Sequence, residues 1–306
     1  MESVNKTTKD KIFKWIITLL PLVFIVAVLL GPLIWSFTKS FTDYSMYRPE
    51  QSKFIGLGNY IDMLQSSRFW KILSVSFIFT VVTIVLPNVI AVFLANLINM
   101  RVMGKTIKGK TILRVFFLIP MIMSETVVGA FTRVFLWSGD IGIINFLIEK
   151  MGINPPNWFI DEKLALVVPI LTYTLIYFSF GFIIFDAGIR NIPGSFYETA
   201  LVEGATPLTK FFKITLPCLK PQLAIVLIIT LTRSWRQYDL IWIMTRGGPG
   251  LSTQVLSLRT YLSFMRYGEF GYASALSWFM IISLALMSLG ILLSLQRGSF
   301  SYTIEK

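Results

Sequence analysis

The stretch Ile192–Lys220 reads IPGSFYETALVEGATPLTKFFKITLPCLK, a polar segment between two strongly apolar neighbours. Its helix punctuation decides the fold. Ser195 followed three residues later by Glu198 predicts a capping box, opening a short helix over Phe196–Glu203. Gly204 then supplies the left-handed turn at least cost. Thr206 before Pro207 opens a second short helix, with proline at the first helical position, where its missing N–H costs nothing. Leu216-Pro217 predicts the close of the unit before the next apolar run. The stretch therefore reads as helix, glycine turn, helix.

What flanks it is membrane-grade. The chain of 306 residues is 55% hydrophobic and 14% charged, with a mean hydropathy of +0.69. That is the composition of a polytopic membrane protein, all-α, not of two soluble domains. Six apolar runs meet the need of about 20 residues per crossing. They are Phe13–Phe37, Trp70–Leu97, Ile112–Leu136, Leu164–Asp186, Pro221–Met244 and Tyr272–Leu295. This divides the chain into an N-terminal tail over 1–12, a six-helix membrane domain over 13–297 and a C-terminal tail over 298–306. The first run is too long for the apolar region of a signal peptide and lacks a small-residue cleavage pattern, so it reads as a retained span.

Histidine is absent and Cys218 is the one cysteine. Disulfides, Cys/His metal sites and His-dependent triads are excluded, and no catalytic or metal-ligating residue is assigned. The net charge of +12 is explained by topology and contact with anionic membrane lipids; no soluble basic face exists for nucleic acid. With the N-terminus inside, the inner segments hold fifteen Lys/Arg and the outer ones ten, Arg133, Arg233 and Arg236 lying within spans. Both termini and the hairpin are thus expected in the cytosol.

The hairpin resembles the EAA loop of permease subunits of bacterial binding-protein-dependent ABC importers, carbohydrate type. The matching residues are Glu198-Thr199-Ala200, Gly204 and Ile214-Thr215-Leu216-Pro217, with Thr199 in place of the usual second alanine. Further strings carry the same resemblance. They are Phe54-Ile55-Gly56-Leu57-Gly58-Asn59-Tyr60, Gly142-x-x-Asn145 followed by Trp158, Gly247-Gly248-Pro249 with Thr253, and Gly271-Tyr272-Ala273-Ser274-Ala275. The resemblance implies the type I importer permease fold in the bacterial cytoplasmic membrane, with the hairpin as a coupling helix seated on an ATPase. Glu198, Ala200, Leu201, Gly204, Ala205, Leu216 and Pro217 would make that contact. It also implies the partners: a second permease subunit, two ATPase domains that bind ATP and Mg, and an extracytoplasmic solute-binding protein. No cofactor is implied in this chain.

Gly104–Thr111 satisfies the phosphate-loop pattern G-x4-G-K-T. That chemistry needs a strand leading in and a helix leading out. The pattern falls in a short connector between spans, with no strand predicted before it, so its lysines read as topology charges.

A solute path is legible in spans four and five. Arg233 falls about 18 Å along the fifth span, near the bilayer middle, where an arginine costs about 2.5–3.5 kcal/mol unless compensated. Arg236 and Asp239 add to that cost, and Trp235, Tyr238 and Trp242 follow at helical spacing. In span four, Tyr173 and Tyr177 share a face, with Phe180 close by. Saccharides stack on such aromatic ridges. The resemblance adds Ser234, Arg236 and Gln237 as cavity-lining positions. Packing alternatives stay open: Arg236 with Asp239 as an i, i+3 pair, Arg233 with Glu125 of span three, and the aromatics as interface anchors. An unpaired mid-membrane arginine would favour a solute with a negative group; an acid on the second permease is the rival partner.

The expected function is translocation of a carbohydrate or related polar solute in an ATP-driven importer, hydrolysis residing in the partner ATPase. A secondary transporter would show inverted repeats. An intramembrane enzyme would rest on Glu125, Asp186 or Asp239, but no nucleophile–base pair within a helical turn, and no histidine, supports it.

Overall fold

The computed structural model describes residues 2–102, 105–106, 109–136 and 142–296. The C-terminal tail over 298–306 and residues 104, 107 and 108 of the phosphate-loop pattern lie outside the described residues. The first helix, α1 (Glu2–Ile25), passes through a π-helical turn at Val26–Leu30 into α2 (Gly31–Lys39). The short α3 (Gly58–Gln65) leads to α4 (Ser67–Asn99). After the strands β1 (Arg101–Val102) and β2 (Lys105–Thr106) come α5 (Lys110–Ile122), α6 (Glu125–Phe135), α7 (Ile143–Lys150) and α8 (Leu164–Arg190). The hairpin follows as α9 (Gly194–Val202), α10 (Pro207–Lys210) and α11 (Leu216–Cys218), the last two joined by a π turn at Phe211–Thr215. Four further helices follow among the described residues: α12 (Lys220–Trp235), α13 (Asp239–Met244), α14 (Leu256–Met265) and α15 (Phe270–Gln296).

Among the described residues, four helices are long and apolar enough to cross on their own: Phe13–Lys39, Ser67–Asn99, Leu164–Arg190 and Phe270–Leu295. The other two predicted spans are broken. In the third, α5 and α6 meet at 93°, because Met123 and Ser124 are extended and Pro120 has already removed a donor from the last turn. The fifth does not run to Met244. Its helix α12 ends at Trp235, and residues 236–238 separate it from α13. Arg236 and Asp239 are therefore not one helical turn apart, and the intrahelical pair does not form. Helix already begins at Glu2, so the residues before the first span continue α1.

The connector after α4 is also more ordered than predicted. β1 and β2 pair antiparallel, Arg101 with Thr106 and Val102 with Lys105. With two residues per strand, this ribbon is not the buried strand that a phosphate-cradling loop requires.

The chain forms two compact units. The first comprises residues up to Ser66 with Thr260–Phe279. Its loop is stitched by Asn59, which donates to the carbonyls of Ser40 at 2.9 Å and Thr42 at 2.8 Å. Gly271 sits where a Cβ would meet the Thr42 carbonyl oxygen at 2.0 Å, so backbone blocks any side chain there. Two of the motif glycine and asparagine positions thus have a packing role inside this unit.

The second unit comprises Ser67–Arg259 with residues from Met280 onward, and its main contact is α4 against α8. Large and small residues share that face: Phe79 packs edge-on against Tyr173 at 5.9 Å, and Gly181 of α8 lets Asn88 and Ala91 of α4 approach closely. Thr83 shares a hydrogen bond with Ser234 at 2.5 Å, and Asn88 donates to Thr230 at 3.2 Å, tying α4 to α12. Toward the hairpin, Ala95, Ile98, Phe182, Phe185, Ile189 and Leu219 close an apolar core. At the opposite loops, the Thr245 and Thr253 hydroxyls bond at 2.7 Å. Thr253 donates to the Gly248 carbonyl at 2.8 Å, bracing the Gly247-Gly248-Pro249 turn. Asn145 accepts from the Trp158 indole at 2.7 Å and donates to the Leu136 carbonyl, which explains their pairing in sequence.

Candidate functional site

The hairpin is built by local rules, two of them other than those predicted. No capping box forms. Pro193 is extended and takes the N-cap position, so α9 starts at Gly194 and Ser195 falls inside its first turn. The far end follows prediction: Gly204 has φ +72°, its N–H bonds Leu201 O at 3.0 Å, and Ala205 N–H bonds Ala200 O at 2.9 Å. That pair of bonds is a Schellman closure. Thr206 caps α10, accepting from the Thr209 amide at 3.2 Å with Pro207 behind it.

Pro217 does not close the unit. The π turn at Phe211–Thr215 widens the helix, and Leu216 N–H reaches back to Phe211 O, so the ring of Pro217 is accommodated and the helical path continues to Cys218. The same device precedes Pro32, where Gly31 N–H reaches Val26 O. The turn into α12 is at Leu219, with a 70° bend.

Ala200 and Thr215 point into the hairpin, where the Tyr197 and Thr215 hydroxyls bond at 2.9 Å. Burial pushes the Tyr197 phenol above its ordinary range, the Thr215 bond opposing. Leu216 and Pro217 are half-buried, as is Ala205. Glu198 is exposed, and beside it Leu201 and Val202 are 68% and 89% exposed. A charged residue flanked by bare aliphatic side chains forms the outward surface. The root of the hairpin is tight: a Cβ on Gly188 of α8 would meet Leu219 Cδ2 at 2.6 Å.

The second feature is a cavity of about 200 Å³ lined by Met121, Met123, Glu125, Ile176, Tyr177, Phe180 and Arg233. The break between α5 and α6 brings Glu125 to it. Arg233 lies 5.4 Å from the Tyr177 ring centre and 5.6 Å from that of Phe180, a cation held over two aromatic faces. The Tyr177 hydroxyl donates to the Glu125 carboxylate, and Tyr173 packs behind Tyr177 at 4.2 Å. A carboxylate thus lines the same cavity as Arg233, although among the described residues no ion pair joins Glu125 to it.

Not all predicted cavity residues come together. Tyr173, Ser234, Trp235 and Gln237 are buried. Val226, Thr230 and Ser234 recur every four residues on the buried face of α12, whereas Arg233 is turned about 100° away and exposed. The Trp235 indole donates to the Met280 carbonyl at 3.2 Å. Arg236 and Asp239 are exposed on either side of the α12–α13 break, away from the residues lining the cavity.

Sequence reasoning missed a third cluster. Asp186, its side chain 5% exposed, takes bonds on Oδ1 from Asn99 at 2.8 Å and from Arg114 Nε and Nη2 at 3.1 and 3.0 Å. Its Oδ2 pairs with Arg190 at 3.1 Å. The signal was an acid at the end of an apolar run, with arginines in two separate segments.

Three comparisons place these features. Residues 102–297 match the family described as "Binding-protein-dependent transport system inner membrane component". The trehalose/maltose transport system permease protein of Thermococcus litoralis is 32% identical over 85% of this chain and 85% of its own. A probable ABC transporter permease of Sinorhizobium fredii is 31% identical over 92% of this chain and 89% of its own. In fold, the chain is similar to a bacterial ABC transporter involved in importing the acidic polysaccharide alginate. The TM-score is 0.81 at 20% identity, covering 99% of this chain and 100% of that one. With its apolar helices, broken spans and exposed hairpin, this multi-pass membrane protein belongs to the inner membrane components of binding-protein-dependent transport systems, the permeases of ABC importers.

Proposed function

We propose that the chain translocates a neutral saccharide through the Glu125–Tyr177–Arg233 cavity, as one of two permease subunits of an ATP-driven importer. The carrying observation is the cavity itself. Aromatic faces suit the C–H face of a sugar, while a carboxylate and a guanidinium hold hydroxyls from either side. Because the two charges offset each other, the cavity gives no net attraction to an anion. The relative from Thermococcus litoralis serves trehalose and maltose, which are neutral.

The hairpin α9–α11 is the seat for a partner ATPase, which supplies the ATP and Mg chemistry. Glu198, Leu201 and Val202 form the seating surface, and Gly204 holds its turn. A solute-binding protein docks on the other side of the membrane, and ATP-driven closure biases the cavity between two access states.

Uptake by proteoliposomes containing the complete complex and its binding protein tests the solute class, with labelled trehalose, maltose and arabino-oligosaccharides as neutral probes and oligo-alginate as the anionic one. Uptake of a neutral probe and exclusion of the anion is expected. Uptake of the anion alone would overturn the neutral reading. Orientation has its own test. On a Cys218→Ala background, a cysteine at position 251 should react with an impermeant thiol reagent from outside, and one at 198 only after permeabilisation. The reverse pattern would place the hairpin on the wrong side for an ATPase.

A further inference from the structure

We propose that Asp186 is a positioning residue through which movement of the hairpin reaches the cavity; this rests on the reading of α9–α11 as the ATPase seat. Asp186 lies in the last turn and a half of α8, four residues before Arg190, after which the chain turns into α9. Its carboxylate is almost fully buried and accepts from three other residues. Arg190, the last residue of α8 itself, pairs on one oxygen, while Arg114 of α5 and Asn99 at the end of α4 share the other. Arg114 also donates to Asn99 Oδ1 at 3.0 Å, so the three helix ends form one hydrogen-bonded knot.

From that knot α5 leads to the cavity. Met121 is seven residues after Arg114, about 10 Å along a helix, and both Met121 and Met123 line the cavity wall. Beyond the 93° break, Glu125 opens α6 and lines the same wall. A displacement of α8 at its hairpin end is therefore handed to one end of α5, whose other end carries cavity-lining side chains. Apolar contact also holds α5 against α8, since Phe117 packs edge-on against Phe182 and Phe178 at 5.3 and 6.1 Å. That contact is non-directional and lets the helices slide. The carboxylate fixes their register at the end where the force enters.

Charge makes the arrangement specific. Two guanidinium groups converge on one carboxylate, so losing the acid leaves the Arg114 cation, 19% exposed, without its partner. The Asn99 amide alone cannot replace it.

The test uses the complete complex in proteoliposomes, with a thiol reporter in the cavity (Met121→Cys on a Cys218→Ala background) labelled by a methanethiosulfonate reagent with and without ATP. In the parent, ATP should change the labelling rate about tenfold, whereas with Asp186→Asn the change should fall below about twofold, assembly and the ATP-free rate being kept. A parental response in Asp186→Asn overturns the proposal, as does a parent whose reporter ignores ATP. Should Asp186→Asn fail to assemble, Asp186→Asn with Arg114→Gln removes the stranded charge. That pair should assemble and stay unresponsive, and a parental response in it overturns the proposal equally. Glu198→Lys in the same background separates the two readings. If Glu198→Lys abolishes the response and Asp186→Asn does not, Asp186 is not the link. If Glu198→Lys leaves the response intact, the hairpin is not the seat.

Discussion

Glu198→Lys is expected to abolish solute uptake while leaving membrane insertion of the chain unchanged. Glu198 is exposed on α9, outside every span, and among the described residues no ion pair holds its carboxylate. Reversing an exposed charge of this kind changes folding stability by less than about 0.5 kcal/mol. Its neighbours on the helix surface, Leu201 and Val202, are bare aliphatic groups, which a membrane protein exposes to the aqueous side only where a partner covers them. A charge pair truncated inside such an interface costs about 2–5 kcal/mol, so initial uptake rates should fall at least about thirtyfold. Gly204→Asp should act in the same direction for a different reason. Nothing lies within 4 Å of its Cβ position, so the cost is the left-handed backbone alone, about 1 kcal/mol. A smaller loss of uptake is expected from it than from Glu198→Lys. Near-parental uptake in both variants would mean that α9–α11 carries no force.

What was legible in the sequence follows from the range of the physics involved. Gly204 and Thr206-Pro207 act over three or four residues, and the structure places their turn and cap where those rules put them. Ser195 obeys a local rule too, but Pro193, already extended, claimed the helix start first. Apolar runs report that a segment is buried or in lipid, not that it is straight. The breaks at Met123–Ser124 and at residues 236–238 therefore stayed hidden in spans three and five. Side-chain direction was the costliest gap. One residue along a helix turns the face by about 100°, enough to put Arg233 in the cavity and Ser234 in a hydrogen bond to Thr83. Asp186 needed partners from α4 and α5, segments 87 and 72 residues away, which no local pattern encodes.

Glu125→Gln is expected to cost more uptake of a neutral saccharide than Glu125→Gln combined with Arg233→Gln. The single change leaves the Arg233 cation stacked over Tyr177 and Phe180 without the carboxylate that shares its cavity. It also replaces the charged acceptor of the Tyr177 hydroxyl with a neutral amide. A hydrogen bond to a charged group is worth about 1.5–3 kcal/mol, so uptake at limiting solute should fall roughly 10- to 150-fold. The double variant is neutral again and keeps the aromatic faces, and should recover part of that loss. The two solute classes move in opposite directions. In Glu125→Gln the unbalanced guanidinium gains affinity for a carboxylate or sulfate, so inhibition of uptake by oligo-alginate should appear where the parent shows none. If the parent is already inhibited by the anion, and Arg233→Gln alone relieves it in an assembled complex, then Arg233 binds a negative group and the offset by Glu125 is incomplete. If instead Arg233→Gln prevents assembly with the second permease, the guanidinium belongs to a subunit contact and Glu125 is not its functional counter-charge.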